Sequence, residues 1–211
     1  VSELAAEIGF GGDHILRRAV IRLIIEYEIR TFVETGTYLG YTAGAMAGVI
    51  CSQAFNVVTI EKDMENFGRA ATRLMGLGVT NLSGPSEDVL NNFLREWPVE
   101  VNGVPDGTVT PIERPVLFYL DAHWPDTPVL EELGVIGRLA PDSVIVIHDV
   151  KNPNHGEFAF DMYGPQVLDW EFLAEAVAGC YTNGFTHWHN EHAAGNKVGA
   201  LFVTPGRRDV G

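Results

Sequence analysis

Apolar positions in this chain fall into two patterns. Short unbroken runs, Asn56–Glu61 (NVVTIE), Val116–Asp121 (VLFYLD) and Ser143–Asp149 (SVIVIHD), each end in an acid and read as strands. Continuous apolar strands of this kind suit a parallel sheet covered on both faces. Thr31–Glu34 and Val79–Ser83 are shorter strands of the same type. Between them the spacing is helical. Asp13 can cap a helix from His14 to about Glu28, and Thr42–Ser52 forms the next. Asp63 caps MENFGRAATRLMGL, which Gly76 and Gly78 close. Ser86 opens SEDVLNNFLREW, with acids in its first turn. Thr127–Leu139 and Leu168–Ala178 are the last two helices.

The end of the chain reads as a hairpin: Phe185–His189, a turn through Gly195, then Val198–Thr204. Pro98–Pro115, rich in proline and glycine, is a long loop, and a second, polar loop runs to Pro165. Alternating strands and helices predict an α/β sheet, doubly wound, with helices on both faces and an antiparallel edge from the hairpin. One domain over residues 1–211 is expected, with 1–30 as an N-terminal helical extension.

Composition narrows the function. The hydrophobic fraction of 46% is ordinary for a globular protein. No apolar run is long enough to span a bilayer, and AVIRLIIEYEI is broken by Arg22, Glu26 and Glu28. The first residues, VSELAAEIGF, have neither a basic start nor a long apolar core, so a signal peptide is not expected. The net charge of −14 argues against nucleic acid, which draws its affinity from Lys and Arg on phosphates. A small-molecule substrate is favoured, no membrane partner is expected, and a homodimer is left open. Cys51 and Cys180 stand far apart with no CxxC, which fits a reducing, cytoplasmic setting.

The chemistry concentrates where strands end. Thr31–Ala43 (TFVETGTYLGYTA) is a strand, a glycine loop and the start of a helix. Gly36 permits positive φ, and Gly40 lets backbone approach a ligand without a Cβ in the way. The helix N-terminus that follows attracts carboxylates and other anions. The spacing Glu34-x-Gly36-x-x-x-Gly40, with Thr37 where a second glycine would stand, is a poor pyrophosphate cradle. An acid ending the first strand instead suits a cofactor with a charged amino group, such as S-adenosylmethionine. Glu61 ends the second strand, roughly twenty residues beyond the loop, where an acid accepts ribose hydroxyls. Ser86 and Glu87 follow the third strand, beside the expected position of a nucleoside base. Asp121 ends the fourth strand, and His148 and Asp149 end the fifth, so the three converge. Two carboxylates and an imidazole suit Mg²⁺, Mn²⁺ or Fe²⁺. His187 and His189 share a strand face, with His192 beyond them, but no CxxC or HExxH accompanies them and structural zinc is not expected.

These residues resemble the class I S-adenosylmethionine-dependent methyltransferases, and among them the catechol O-methyltransferase-like branch. The likeness runs from about Thr31 to Val150. VETGTYLGYTAGAMA looks like the family's glycine loop, VVTIEKD like its ribose-binding acid segment, and GPSEDVL like the segment lining adenine. FYLDAHW and VIVIHDV look like the two strands that carry metal ligands. The resemblance implies a Rossmann-like, mostly parallel seven-stranded sheet. It implies cofactor contacts from Glu34, Gly36, Thr37, Gly40, Tyr41, Thr42, Glu61, Lys62, Ser86, Glu87, Asp121, His123 and Trp124, and metal ligation by Asp121, His148 and Asp149. The family's usual Asp-Asn pair reads His148-Asp149 here. The Lys that normally follows the His-Trp pair is missing, with Pro125 and Asp126 in its region.

The expected activity is methyl transfer to a small-molecule hydroxyl, with metal assistance or with His148 or His123 taking the proton. Asp121, His148 and His123 are the catalytic candidates. Two other readings remain open: a nucleotide-cofactor oxidoreductase, and a non-catalytic or metal-dependent member of the same fold.

Overall fold

The computed structural model describes residues 9–49, 55–95, 114–122 and 127–206. A short 3₁₀ segment, Gly9–Gly12, leads into α1 (His14–Glu26). Asp13 caps α1, its carboxylate accepting the Ile15 and Leu16 amides at 2.8 and 2.9 Å. The helix stops two residues short of the expected Glu28. Glu28 has a φ of 51°, and the Ile29 amide turns back onto the Ile24 carbonyl, closing the helix.

The alternation then proceeds as the apolar runs predict: β1 (Thr31–Thr35), α2 (Tyr41–Val49), β2 (Asn56–Glu61), α3 (Met64–Leu74), β3 (Val79–Ser83), α4 (Ser86–Arg95), β4 (Val116–Leu120), α5 (Val129–Leu139) and β5 (Val144–His148). Most of the proline-rich loop expected at Pro98–Pro115 lies outside the described residues.

The segment expected as a plain polar loop contains a small antiparallel hairpin, β6 (Met162–Tyr163) and β7 (Gln166–Val167). It is tied to the end of β5 by the Asp161 amide on the Asp149 carbonyl, and by the Lys151 amide on the Leu168 carbonyl. The next helix, α6 (Trp170–Ala178), starts later than the expected Leu168 because Asp169 caps it, accepting the Phe172 amide at 3.0 Å. β8 (Phe185–His189) and β9 (Ala200–Pro205) complete the chain. β9 begins two residues after the expected Val198, which bridges to Ala159 instead.

The strands form one seven-stranded sheet in the order β3-β2-β1-β4-β5-β9-β8. β3 through β5 are parallel, and β9 and β8 run antiparallel beyond them. β9 fills the place beside β5, and the earlier strand of the hairpin, β8, takes the edge. Residues along β1 and β4 are buried at every position, as strands covered on both faces must be. Phe32, Leu117, Tyr119 and Val146 face α1, α2 and α3. Val33, Phe118 and Ile145 face α4, α5 and α6. α1 belongs to the first of these cores through Leu16, Val20, Leu23 and Ile24. The strand order reverses between β1 and β4. In an open α/β sheet the crevice for a ligand lies there, outside the carboxyl ends of the strands.

Candidate active site

A cavity of about 380 Å³ opens at that switch point. Gly36 and Tyr38 line it from the turn after β1, and Glu61 and Lys62 from the end of β2. Asn66 of α3, the stretch Gly84–Glu87 after β3, Asp121 and Ala122 after β4, and Pro128 complete the wall.

The loop after β1 folds sharply. The Gly36 and Thr37 amides both donate to the Ile60 carbonyl, at 3.0 and 3.2 Å. Gly36 has a φ of 79°, and a Cβ there would stand 2.7 Å from the Asp121 carbonyl carbon. The residue must therefore be glycine both for conformation and for contact between β1 and β4.

Gly40 has a different role from the one expected. Its Cβ position points at Ala70 and Leu74 of α3, 3.2–3.3 Å away, so this glycine lets two helices pack. Tyr41 is likewise turned to α3: the Arg73 guanidinium lies over its ring at 3.9 Å and bonds its hydroxyl at 3.0 Å. Thr42 accepts the Phe10 amide at 3.0 Å, tying the N-terminal segment to the start of α2. None of these three lines the cavity. Tyr38, which the sequence reading passed over, does; its φ of 48° turns the chain toward Glu61.

Glu61 is held from two sides. One carboxylate oxygen accepts the Tyr38 amide at 2.7 Å and the other accepts the Asp63 amide at 2.9 Å. Each oxygen keeps a second lone pair, so the group remains an acceptor for a ligand in the cavity. The β2 end and the glycine loop thus fix each other through this one side chain.

Glu34 sits deeper, with 1% of its surface exposed, and is not part of the cavity wall. Thr59, its neighbour on β2, donates to its carboxylate at 2.6 Å, and the Thr59 hydroxyl meets that of Thr37 at 2.5 Å. Burial raises its carboxyl to about 8, against the opposing Thr59 bond. It is linked to the glycine loop through two hydroxyls.

Beside the cavity, β4 and β5 deliver the predicted cluster. His148 Nδ1 lies 3.0 Å from an Asp121 carboxylate oxygen and 3.1 Å from one of Asp149. Ligand atoms from the three residues lie within 4.8 Å of one another. Asp149 adopts a φ of 57°, which turns its side chain back beside its neighbour. Burial alone would lower the His148 imidazole, but Asp121 and then Asp149 carry it well above its ordinary value. So charged, His148 is a hydrogen-bond donor. It can act as a base only when the carboxylates are engaged elsewhere. The donor set fits a divalent cation: two hard oxygens and one imidazole nitrogen in a compact, part-buried group.

Tyr163 of β6 donates to Asp161 at 3.3 Å, and the Asp161 amide bonds the Asp149 carbonyl, tying the hairpin to the end of β5. His123 and Trp124, expected near the cofactor, lie outside the described residues. The C-terminal histidines are elsewhere: His187 stacks on Trp170 with ring centres 3.7 Å apart, on the edge strand.

No protein-family model matches the chain, and no curated protein matches it in sequence. Solved structures do match in fold. One is the O-methyltransferase TomG of Streptomyces achromogenes, involved in tomaymycin synthesis and solved in complex with SAM. It is 20% identical, with 91% of this chain and 80% of that one covered, at a TM-score of 0.58. Another is an O-methyltransferase of Bacillus cereus in complex with SAH, at 17% identity, 90% and 80% coverage, and a TM-score of 0.63. A methyltransferase of Geobacter sulfurreducens matches at 16% identity, 89% and 76% coverage, and a TM-score of 0.54. The sheet is therefore that of the Rossmann-like α/β methyltransferase fold, as the resemblance implied. At these identities the likeness establishes the fold.

Proposed function

We propose that the chain binds S-adenosylmethionine in the cavity between β1 and β4 and transfers its methyl group to an oxygen of a small molecule. The observation that carries this reading is Glu61, a carboxylate fixed by two backbone amides at the edge of a cavity at the switch point. Its free lone pairs suit the two hydroxyls of a ribose. Ser86 and Glu87 line the same cavity, and we assign the purine to them. Asp121 lines it as well, and its negative charge suits the amino group and the sulfonium. TomG and the Bacillus cereus enzyme, which share the fold, were solved with SAM and SAH.

In the transfer, a lone pair of the acceptor oxygen attacks the methyl carbon as the carbon–sulfur bond breaks. The electron pair of that bond stays on sulfur, which becomes a neutral thioether. Most of the acceleration comes from holding the reacting atoms in line at about 3–3.5 Å. Asp121, His148 and Asp149 lie beside the cavity where the acceptor hydroxyl would sit. These three residues would hold a divalent cation, which when bound supplies a Lewis acid that lowers the hydroxyl's pKa. Asp121 and Asp149 are the nearby carboxylates that can accept its proton. The β6–β7 hairpin, tied to Asp149 through the Asp161 amide, is the segment we assign to the acceptor side.

Calorimetric titration with S-adenosylhomocysteine tests the cofactor half: one site per chain is expected, and no heat at millimolar ligand would overturn it. Transfer of labelled methyl to a panel of hydroxylated aromatics and sugars tests the second half.

A further inference from the structure

Among the described residues, Glu132 is a buried acid with both carboxylate oxygens shut off from solvent. It lies in the first turn of α5, and none of its surface is exposed. Neither carboxylate oxygen has a hydrogen-bond partner. The polar groups near it are the hydroxyls of Ser86, which opens α4, and of Thr35, which ends β1. The charges that act on it are both negative: Glu87 on α4 and Glu131 on α5 itself. Ionising so deeply buried a carboxyl is costly, and burial, its largest cause, pushes the group up to about 7, against the Ser86 and Thr35 hydroxyls. Its surroundings tie it to the site. Ser86 lines the cavity, as does Pro128, whose carbonyl accepts the Glu132 amide at 2.8 Å, and Thr35 precedes the cavity residue Gly36. Glu132 therefore stands directly behind the part of the wall assigned to the purine.

A hydroxyl has one hydrogen to give and two lone pairs to offer. A neutral acid behind Ser86 can donate to its oxygen, leaving the Ser86 hydrogen free to point into the cavity. An ionised carboxylate can only accept, and would draw that hydrogen inward. A purine ring presents nitrogen acceptors along its edge, and only the first arrangement can donate to one of them. We propose that Glu132 is a positioning residue of the cofactor cavity, which orients the Ser86 hydroxyl as a donor to a purine ring nitrogen and acts through Ser86 without touching the ligand. This rests on the cofactor reading above.

The test is calorimetry with S-adenosylhomocysteine at pH 6 and pH 8. In the parent protein affinity falls about tenfold over that range as Glu132 ionises. Glu132→Gln, which keeps a donor and cannot ionise, binds like the parent at pH 6 and keeps that affinity at pH 8. In a Ser86→Ala background, Glu132→Gln has no further effect at either pH. Glu132→Leu, which keeps the side chain's bulk but has no donor, binds about tenfold more weakly at pH 6 while still unfolding cooperatively. Equal pH slopes in the parent and Glu132→Gln would overturn the proposal. So would full affinity in Glu132→Leu, which would leave the residue a space-filler. A parent protein that binds no S-adenosylhomocysteine at either pH would instead overturn the cofactor reading itself.

Discussion

Gly36 and Asp121 meet backbone to backbone: a Cβ at position 36 would stand 2.7 Å from the carbonyl carbon of Asp121. This contact closes the floor of the cavity and sets the distance between the glycine loop and the acidic cluster. Gly36→Ala would add a clash with rigid backbone to the strain of a positive φ. The expected loss of stability is roughly 2–4 kcal/mol, well above an ordinary glycine replacement. Urea unfolding measures it. A loss under about 1 kcal/mol would mean that β1 and β4 can move apart cheaply, and that the cavity floor is not fixed.

Glu61 gives the direct test of the ribose assignment. Glu61→Ala removes the acceptor and also frees the Tyr38 and Asp63 amides that it holds. Affinity for S-adenosylhomocysteine should fall by roughly 1.5–3 kcal/mol, the range for hydrogen bonds to a charged group. Glu61→Gln keeps one acceptor oxygen and should lie between parent and Ala. Unchanged calorimetric affinity in a folded Glu61→Ala protein would move the ribose elsewhere.

Glu34 predicts a pH dependence of stability. Its carboxyl is near 8 in the folded protein, against 4.5 for a free side chain. Between those values the folded state holds a proton that the unfolded chain has released. The stabilisation is therefore complete below about 4.5 and is lost as pH rises toward 8. Glu132 acts with the same sign up to about 7. Glu34→Gln should flatten the parent's decline, becoming more stable than the parent at pH 8 by on the order of a few kcal/mol. Denaturant unfolding at pH 5, 6.5 and 8 reads this out. Parallel stability curves for parent and variant would show that Glu34 is ionised in the fold.

What the sequence made legible was where strands end. Glu61, Asp121, His148 and Asp149 close apolar runs, and a parallel sheet carries all such ends to one edge. Their convergence follows from topology alone. The roles of the loop residues were not legible, because they depend on which way a turn faces. Gly40 and Tyr41 are in the right segment but turn to α3, while Tyr38 reaches the cavity through a positive φ that nothing in its residue type announces. Glu34 was read as a ligand contact from its place at a strand end, yet it stands on the strand face sealed by α2. The hairpin β6–β7 was missed because two-residue strands leave no periodic signal. Asp169 also went unread as the cap that sets the start of α6, because the apolar run begins before it at Leu168.

The acidic cluster yields the last prediction. Asp121, His148 and Asp149 offer three ligand atoms within 4.8 Å, and in the protein alone the imidazole lies hydrogen-bonded between the two carboxylates. A divalent cation would replace that proton-mediated contact, and the mixed oxygen and nitrogen set favours Mn²⁺ or Fe²⁺ over Mg²⁺. One Mn²⁺ per chain is expected by electron paramagnetic titration, with affinity falling toward acid pH as the ligands take up protons. Asp149→Asn is the informative variant, because Asn tolerates the φ of 57° at that position and the fold is kept. It should weaken Mn²⁺ at least tenfold, leave the melting temperature within a few degrees of the parent, and leave S-adenosylhomocysteine affinity nearly unchanged. Where methyl transfer is measured, chelation of the parent should reproduce the loss seen in Asp149→Asn. Parent protein that binds no Mn²⁺, Fe²⁺ or Mg²⁺ at millimolar concentration would remove the cation from the site. The cluster would then be an imidazolium clamped by two carboxylates, with proton transfer left to the acids themselves.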